Sequence, residues 1–338
     1  MNKLFYFFLF VVLYSCGSNS TITEQNNPLL VSNATATTYA NSITSEDLKM
    51  HLYKFASDEF EGRETGEPGQ KKAANYLKNF YIQHKIVSPY GGEDYFQPIP
   101  TSHLKPGIKP SENVVAFIKG SEKPDEIIVI SAHYDHLGMR NGKIYYGADD
   151  DGSGTVALLE IAEAFEKAVS EGNNPKRSIL FLHVTGEEKG LLGSKYYSEF
   201  PIFPLKNTIT DLNIDMIGRV DEAHENNTNY VYLIGSENLS QELHMLSEEI
   251  NNKFTKLNLD YKYDDENDPN RFYYRSDHYN FAKNNIPIIF YFNGTHEDYH
   301  RPTDTPDKIN YDLLAKRTQL IFYTAWEIAN RENRIKLD

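Results

Sequence analysis

The stretch Glu126-Ile127-Ile128-Val129-Ile130-Ser131-Ala132-His133-Tyr134-Asp135-His136 decides the fold. Its first half is β-branched and apolar, the pattern of a strand buried on both faces. Its second half turns abruptly to imidazole and carboxylate, as where a strand ends at a site. Working outward, residues 112–118, 178–184, 212–217 and 286–292 read as further short buried strands. Residues 154–169 have helical spacing through Val156, Leu159, Ile161, Ala164 and Phe165, and a long amphipathic helix covers 311–331. Thr44-Ser45-Glu46-Asp47 has a capping-box pattern ahead of Leu48, Leu52 and Phe55. A second helix is expected to start at Pro68, since Pro is favoured in a first helical turn. Strands alternating with helices predict an α/β three-layer sandwich with a mixed, mostly parallel, twisted central sheet.

The net charge of −14 argues against nucleic acid as a partner, because an acidic surface repels phosphate backbones. There are no basic runs or heptads. The one cysteine, Cys16, rules out an intramolecular disulfide but has an informative position. Lys3 precedes an apolar run over 4–13, too short for a comfortable membrane span and suited to a signal-peptide core. Leu13-Tyr14-Ser15-Cys16-Gly17 resembles a bacterial lipobox, although Tyr14 is bulkier than usual there. The expectation is a lipoprotein signal over 1–15 and a flexible tether over 16–43, rich in Ser, Thr, Asn and Ala. A single domain follows over 44–338. Such a chain would be exported and would touch the bacterial envelope membrane only through lipidated Cys16.

Five elements end in metal-ligand chemistry. Three strands run into Ser131-Ala132-His133-Tyr134-Asp135-His136, Thr185-Gly186-Glu187-Glu188 and Asn213-Ile214-Asp215-Met216. The turn Gly147-Ala148-Asp149-Asp150-Asp151-Gly152-Ser153-Gly154 feeds a helix, and Asp298-Tyr299-His300-Arg301-Pro302 follows the last strand. In open α/β sheets ligands collect at the carboxyl ends of strands. Mixed His and carboxylate donors without Cys suit a zinc site kept open for catalysis. Any one acidic turn is more often just solvated; five at compatible sheet ends are not. The acidic run 264–268 lacks the Gly and distal Glu of an EF-hand, so it reads as a solvated loop.

These segments, in this order, resemble those of the M28 metallopeptidase family, as does Ala56-Ser57-Asp58-Glu59-Phe60-Glu61-Gly62-Arg63. The resemblance runs from about residue 45 to the C-terminus, with no room over 95–120 for an inserted protease-associated domain. It implies the zinc-dependent exopeptidase fold, peptide substrates and two zinc ions. Carried over residue by residue, it implies that Asp150 bridges the ions, with His133 and Asp215 completing one site and Glu188 and His300 the other. Glu187 would be the general base, and Asp135 would hydrogen-bond and orient His133. The peptide bond Asp150–Asp151 is expected to be cis. The activity implied is that of an aminopeptidase.

Rival readings stay in view. His296-Glu297-Asp298-Tyr299-His300 matches H-E-x-x-H by letter, but Gly294 and Pro302 leave no room for the helix that motif needs. His296 therefore reads as a bystander. A glutaminyl cyclase can keep all five ligand positions with one zinc, yet its pocket is lined by Trp, including one just before the last His. Tyr299 stands there, and the one Trp, Trp326, falls in the last helix. A dipeptidase or carboxypeptidase of the same family is not separated by the ligands. For such enzymes Arg219, Arg271, Arg275 and Arg301 are candidates to grip a substrate carboxylate. A non-catalytic relative would be expected to have lost ligands or the base, and this chain keeps them.

Overall fold

A computed structural model describes residue 1, residues 33–265 and residues 267–338. The signal segment beyond Met1, Cys16, the first half of the tether and Glu266 lie outside the described residues. In chain order the elements are α1 (Asn33–Ala40), α2 (Ser45–Phe55), α3 (Pro68–Gln83), β1 (Phe96–Ile99), β2 (Ser111–Ile118) and β3 (Lys123–His133). A small hairpin, β4 (Gly138–Arg140) and β5 (Lys143–Tyr145), precedes α4 (Gly154–Ser170), β6 (Arg177–Val184), α5 (Leu192–Glu199) and β7 (Thr208–Ile214). The chain closes with β8 (Tyr230–Ile234), α6 (Gln241–Ile250), β9 (Asn258–Asp260), α7 (His278–Ala282), β10 (Ile288–Phe292) and α8 (Tyr311–Asn330).

Eight strands form one sheet in the order β1-β2-β6-β3-β7-β10-β8-β9. The central four, β6, β3, β7 and β10, are mutually parallel, and antiparallel pairs flank them. β3 sits between β6 and β7, which is why its sequence is apolar on both faces. Ile128, Ile130 and Ala132 pack under the layer that holds α1, α2, α4 and α8, while Ile127 and Val129 pack on the opposite face with Phe281 and Tyr197. Each such buried aliphatic side chain contributes roughly 1.5–3 kcal/mol relative to exposure. The α/β sandwich expected from the sequence is the one observed.

Helix starts follow the sequence closely. Thr44 caps α2, accepting from the Asp47 amide at 3.1 Å, and Pro68 opens α3. The tether is different. It was expected to run to residue 43, yet Asn33–Ala40 is a helix whose Ala36, Tyr39 and Ala40 are buried against the core. The spacing i, i+3, i+4 makes one apolar face, small enough in its alanines to lie close on its neighbours. Tyr39 stacks near Trp326, with ring centroids 5.5 Å apart, and its hydroxyl donates to Glu171 at 2.9 Å. The strand expected over 212–217 stops at Ile214, because Met216 turns left-handed (φ 60°). Its amide leaves the ladder to donate to Asp151 Oδ1 at 3.0 Å. No helix among the described residues is long and apolar enough to cross a membrane.

Arg63 fastens the N-terminal segment to the sheet. Fully buried, its guanidinium donates to the carbonyls of Tyr134 (3.0 Å), Phe55 (3.2 Å), Tyr146 (2.8 Å) and Gly147 (2.8 Å). Burial lowers its pKa to about 10, opposed by Asp150, Asp304, Asp135 and Asp151. Arg63→Met should destabilise the fold by about 3–5 kcal/mol, since four carbonyls lose a charged donor and four carboxylates a counter-charge. Denaturant unfolding of the two proteins measures that difference.

Candidate metal centre

The sheet delivers four of the expected residues directly. His133 ends β3, Asp215 follows β7, and Glu187-Glu188 follow β6 through Gly186, whose φ of 69° makes the sharp turn. Asp150 lies between Gly147 and α4, and His300 in the loop after β10. All five come together. His133 Nε2 is 3.2 Å from Asp150 Oδ1 and 3.6 Å from Asp215 Oδ1. His300 Nε2 is 3.0 Å from Asp150 Oδ2 and 3.4 Å from Glu188 Oε2. Asp150 therefore turns one oxygen to each pair. The Asp150–Asp151 peptide bond is cis.

The tautomer of His133 makes the arrangement informative. Its Nδ1 donates to the main-chain carbonyl of Asp135 at 3.1 Å. The lone pair on Nε2 then faces two carboxylates, a repulsive arrangement unless a proton or a metal ion lies between. His133 Nε2, Asp150 Oδ2 and Glu188 Oε1 are buried without a hydrogen-bond partner among the described residues. Among the described residues, two groups of side chains could hold an ion by proximity alone: His133, Asp151 and Asp215, and His136, Asp150 and Glu188. The donor set fits zinc, with nitrogen and carboxylate oxygen and no thiolate.

Charge in the cluster is strongly coupled. Burial opposes a charged Asp150, but His136, His133 and His300 more than offset it and hold this carboxyl well below the usual range. Glu188 is lowered to about 2, burial and Asp150 being outweighed by His136 and His300. Glu187 behaves in the opposite way. Burial pushes its carboxyl well up; His133 opposes the shift, while Glu188 and Asp215 reinforce it. The adjacent glutamates thus have different surroundings. Glu188 faces the imidazoles, and Glu187 lines a shallow recess together with Asp150 and Asp215. The other walls are Met216, Phe272, Phe290 and Phe292, with Tyr299 and Arg275.

Asp135 is placed differently from expectation. Its carboxylate stands 3.9 Å from His133 Nδ1, so the imidazole is held by the main-chain carbonyl instead. The carboxylate accepts from Thr65 Oγ1 at 2.7 Å and from the Glu187 amide at 3.1 Å, which ties the β3 end to the glutamate turn. His296 is a bystander: its Nε2 meets Asp149 Oδ2 at 3.1 Å. Arg219 is taken up by Asp298 at 3.0 Å.

Several residues escaped the sequence reading. His136 Nδ1 lies 2.8 Å from Glu188 Oε1, close but outside hydrogen-bond geometry, and the ring packs where a Cβ on Gly147 would collide. Ser276 Oγ donates to Asp215 Oδ2 at 2.6 Å, which gives the Ser276-Asp277-His278 segment its place beside the site. Asp304, fully buried, accepts from the amides of Asp149 (3.0 Å) and Asp150 (3.2 Å). The second imidazole of His133-Tyr134-Asp135-His136 was a visible signal for His136. Nothing in the sequence marks Asp304.

The sequence model of peptidase family M28 matches residues 113–325, more than half of the chain. The chain belongs to peptidase family M28. Among curated M28-like relatives, a glutamate carboxypeptidase 2 homolog of Caenorhabditis elegans is 34% identical over 117 residues, covering 34% of this chain and 14% of that protein. The chain thus spans only a small part of that relative's length. Among solved structures, the Legionella pneumophila LapA aminopeptidase superposes with a TM-score of 0.69 at 23% identity, over 90% of this chain and 76% of that one. BSAP, a zinc aminopeptidase from Bacillus subtilis, gives 0.67 at 15% identity, over 87% and 97%. At these identities the likeness is one of fold, and the M28 assignment rests on the sequence match.

Proposed function

We propose that this M28 chain is a zinc-dependent exopeptidase that removes N-terminal residues from peptides, with two metal ions and Glu187 as general base. One observation carries the reading: Asp150 presents an oxygen to each of two donor groups at 3.0–3.6 Å. A tetrahedral zinc with bonds of roughly 2.0–2.2 Å separates its ligand atoms by about 3.3–3.6 Å. His133 comes close to that spacing, at 3.2 Å from one Asp150 oxygen and 3.6 Å from Asp215, while His300 is tighter on one side, at 3.0 Å from the other Asp150 oxygen and 3.4 Å from Glu188. His136, at 2.8 Å from Glu188 and 3.8 Å from Asp150, departs further from that spacing and is read as a neighbour of Glu188 rather than a ligand. Asp151 Oδ1 already accepts from the amides of Gly154 and Met216, which fits a supporting role.

When bound, two zinc ions supply the positive charge that acidifies a water and polarises the scissile carbonyl. Glu187 faces the recess and takes the water's proton, then delivers it to the leaving amine. Asp135 positions both partners, holding His133 through its carbonyl and the Glu187 backbone through its carboxylate.

The test is to offer the purified full chain long peptides that are free, N-acetylated or C-amidated, with and without chelator. Free and amidated peptides should be cleaved, acetylated ones spared, and chelation should abolish turnover until zinc is returned. Cleavage of acetylated but not amidated peptides would favour a carboxypeptidase, the second reading, which Arg275 in the recess and the relative's name support. Ammonia release from N-terminal glutamine without peptide cleavage would indicate a cyclase.

A further inference from the structure

Among the arginines weighed for substrate binding, one lines the recess. Arg275 is exposed there, its guanidinium carbon 4.8 Å from the centre of the Phe272 ring. Its Nη2 donates to Tyr299 Oη at 3.3 Å, and its Nη1 reaches the Asn270 carbonyl at 3.5 Å. It forms no salt bridge among the described residues. Arg177, Arg219 and Arg331 pair with carboxylates and Arg63 and Arg317 are buried on carbonyls; of the arginines without a salt bridge among the described residues, Arg275 is the one that lines this recess. Stacking and the two neutral acceptors fix the guanidinium without neutralising it. Tyr299 in turn stacks on His300, ring centroids 3.9 Å apart. One continuous wall therefore runs from a candidate metal ligand through Tyr299 to a free cation.

A fixed, planar, unpaired guanidinium at this place has one evident use, to receive a carboxylate in a forked pair. We propose that Arg275 selects substrates that carry a carboxylate within reach of the scissile bond. Two sources share that chemistry: an acidic side chain on the terminal residue, or the C-terminal carboxylate of a dipeptide. The inference rests on the peptidase reading above and names its substrate class.

Two matched pairs of substrates test it: Glu- and Gln-nitroanilide for the side chain, Leu-Gly and Leu-Gly-amide for the terminus. The wild type should prefer the carboxylate member of one pair by about ten- to a hundredfold in kcat/KM. Which pair shows the preference identifies the source. In Arg275→Met the preference should collapse to within about threefold, and Arg275→Lys should keep part of it, since an ammonium cannot form the fork. A ratio within one protein is insensitive to how much of a variant is folded. Calorimetric binding of the same pairs to zinc-loaded Glu187→Gln should show the same preference without turnover. Equal binding and equal cleavage of both members of both pairs, or a preference that survives Arg275→Met, overturns the inference. A binding preference without any cleavage by the wild type upholds it and defeats the peptidase reading instead.

Discussion

Glu187→Gln keeps its metal and loses about a hundred- to ten-thousandfold in kcat. The amide preserves the shape of the side chain and its place in the recess, but cannot take a proton. That loss corresponds to about 2.7–5.4 kcal/mol of transition-state stabilisation. Metal content should be unchanged because Glu187 is not among the atoms grouped around Asp150; its neighbours are the recess walls. Elemental analysis of the variant beside steady-state kinetics on a free peptide reads both quantities. Near-normal turnover would remove Glu187 as the base, and loss of metal would place it among the ligands.

Asp150→Ala has the opposite signature, with metal and activity lost together. In the proposed arrangement each ion has three protein ligands and Asp150 supplies one to both, so the substitution leaves two apiece, fewer than catalytic zinc sites use. Metal content should fall from two ions per chain to well under one. A second measurement is independent of activity. Metal that binds only the folded chain stabilises it by about 4 kcal/mol at a thousand times Kd, which raises the wild-type melting temperature by roughly 6 °C. The variant should show almost none of that shift. If it still binds two ions, the bridging role is wrong and Asp151 or His136 must take part.

Most of the fold was legible because β3 and β6 are buried on both faces and their apolar runs admit few readings. The edge of the sheet was not. β1 and β9 are short, partly exposed and paired on one side, so their sequences carry little pattern. α1 was hidden by composition: Ser, Thr, Asn and Ala look like a tether until Tyr39 and two alanines are seen to share a face. At the site, the residues that carry charge announced themselves at strand ends and in the acidic turn. The residues that hold them did not. Arg63 and Asp304 act on backbone groups far away in sequence, and no local spacing records such a contact. Asp135 shows the limit from the other direction, since its residue type was right and the atom that does the holding was its main-chain carbonyl.

The acidic turn has a dynamic consequence. Asp149, Asp151 and Ser153 accept the amides of Gly218, Met216 and Ile217, while Asp304 accepts those of Asp149 and Asp150. Backbone protons of two separate segments are thus guarded by side chains rather than by a ladder or a helical turn. Such amides do not fray one at a time from an end, because each is held by a side chain of another segment and Asp151 and Asp304 each hold two. The segment after β7 and the turn before α4 therefore open to solvent as a single cooperative unit, and the centre they surround is either wholly assembled or wholly lost.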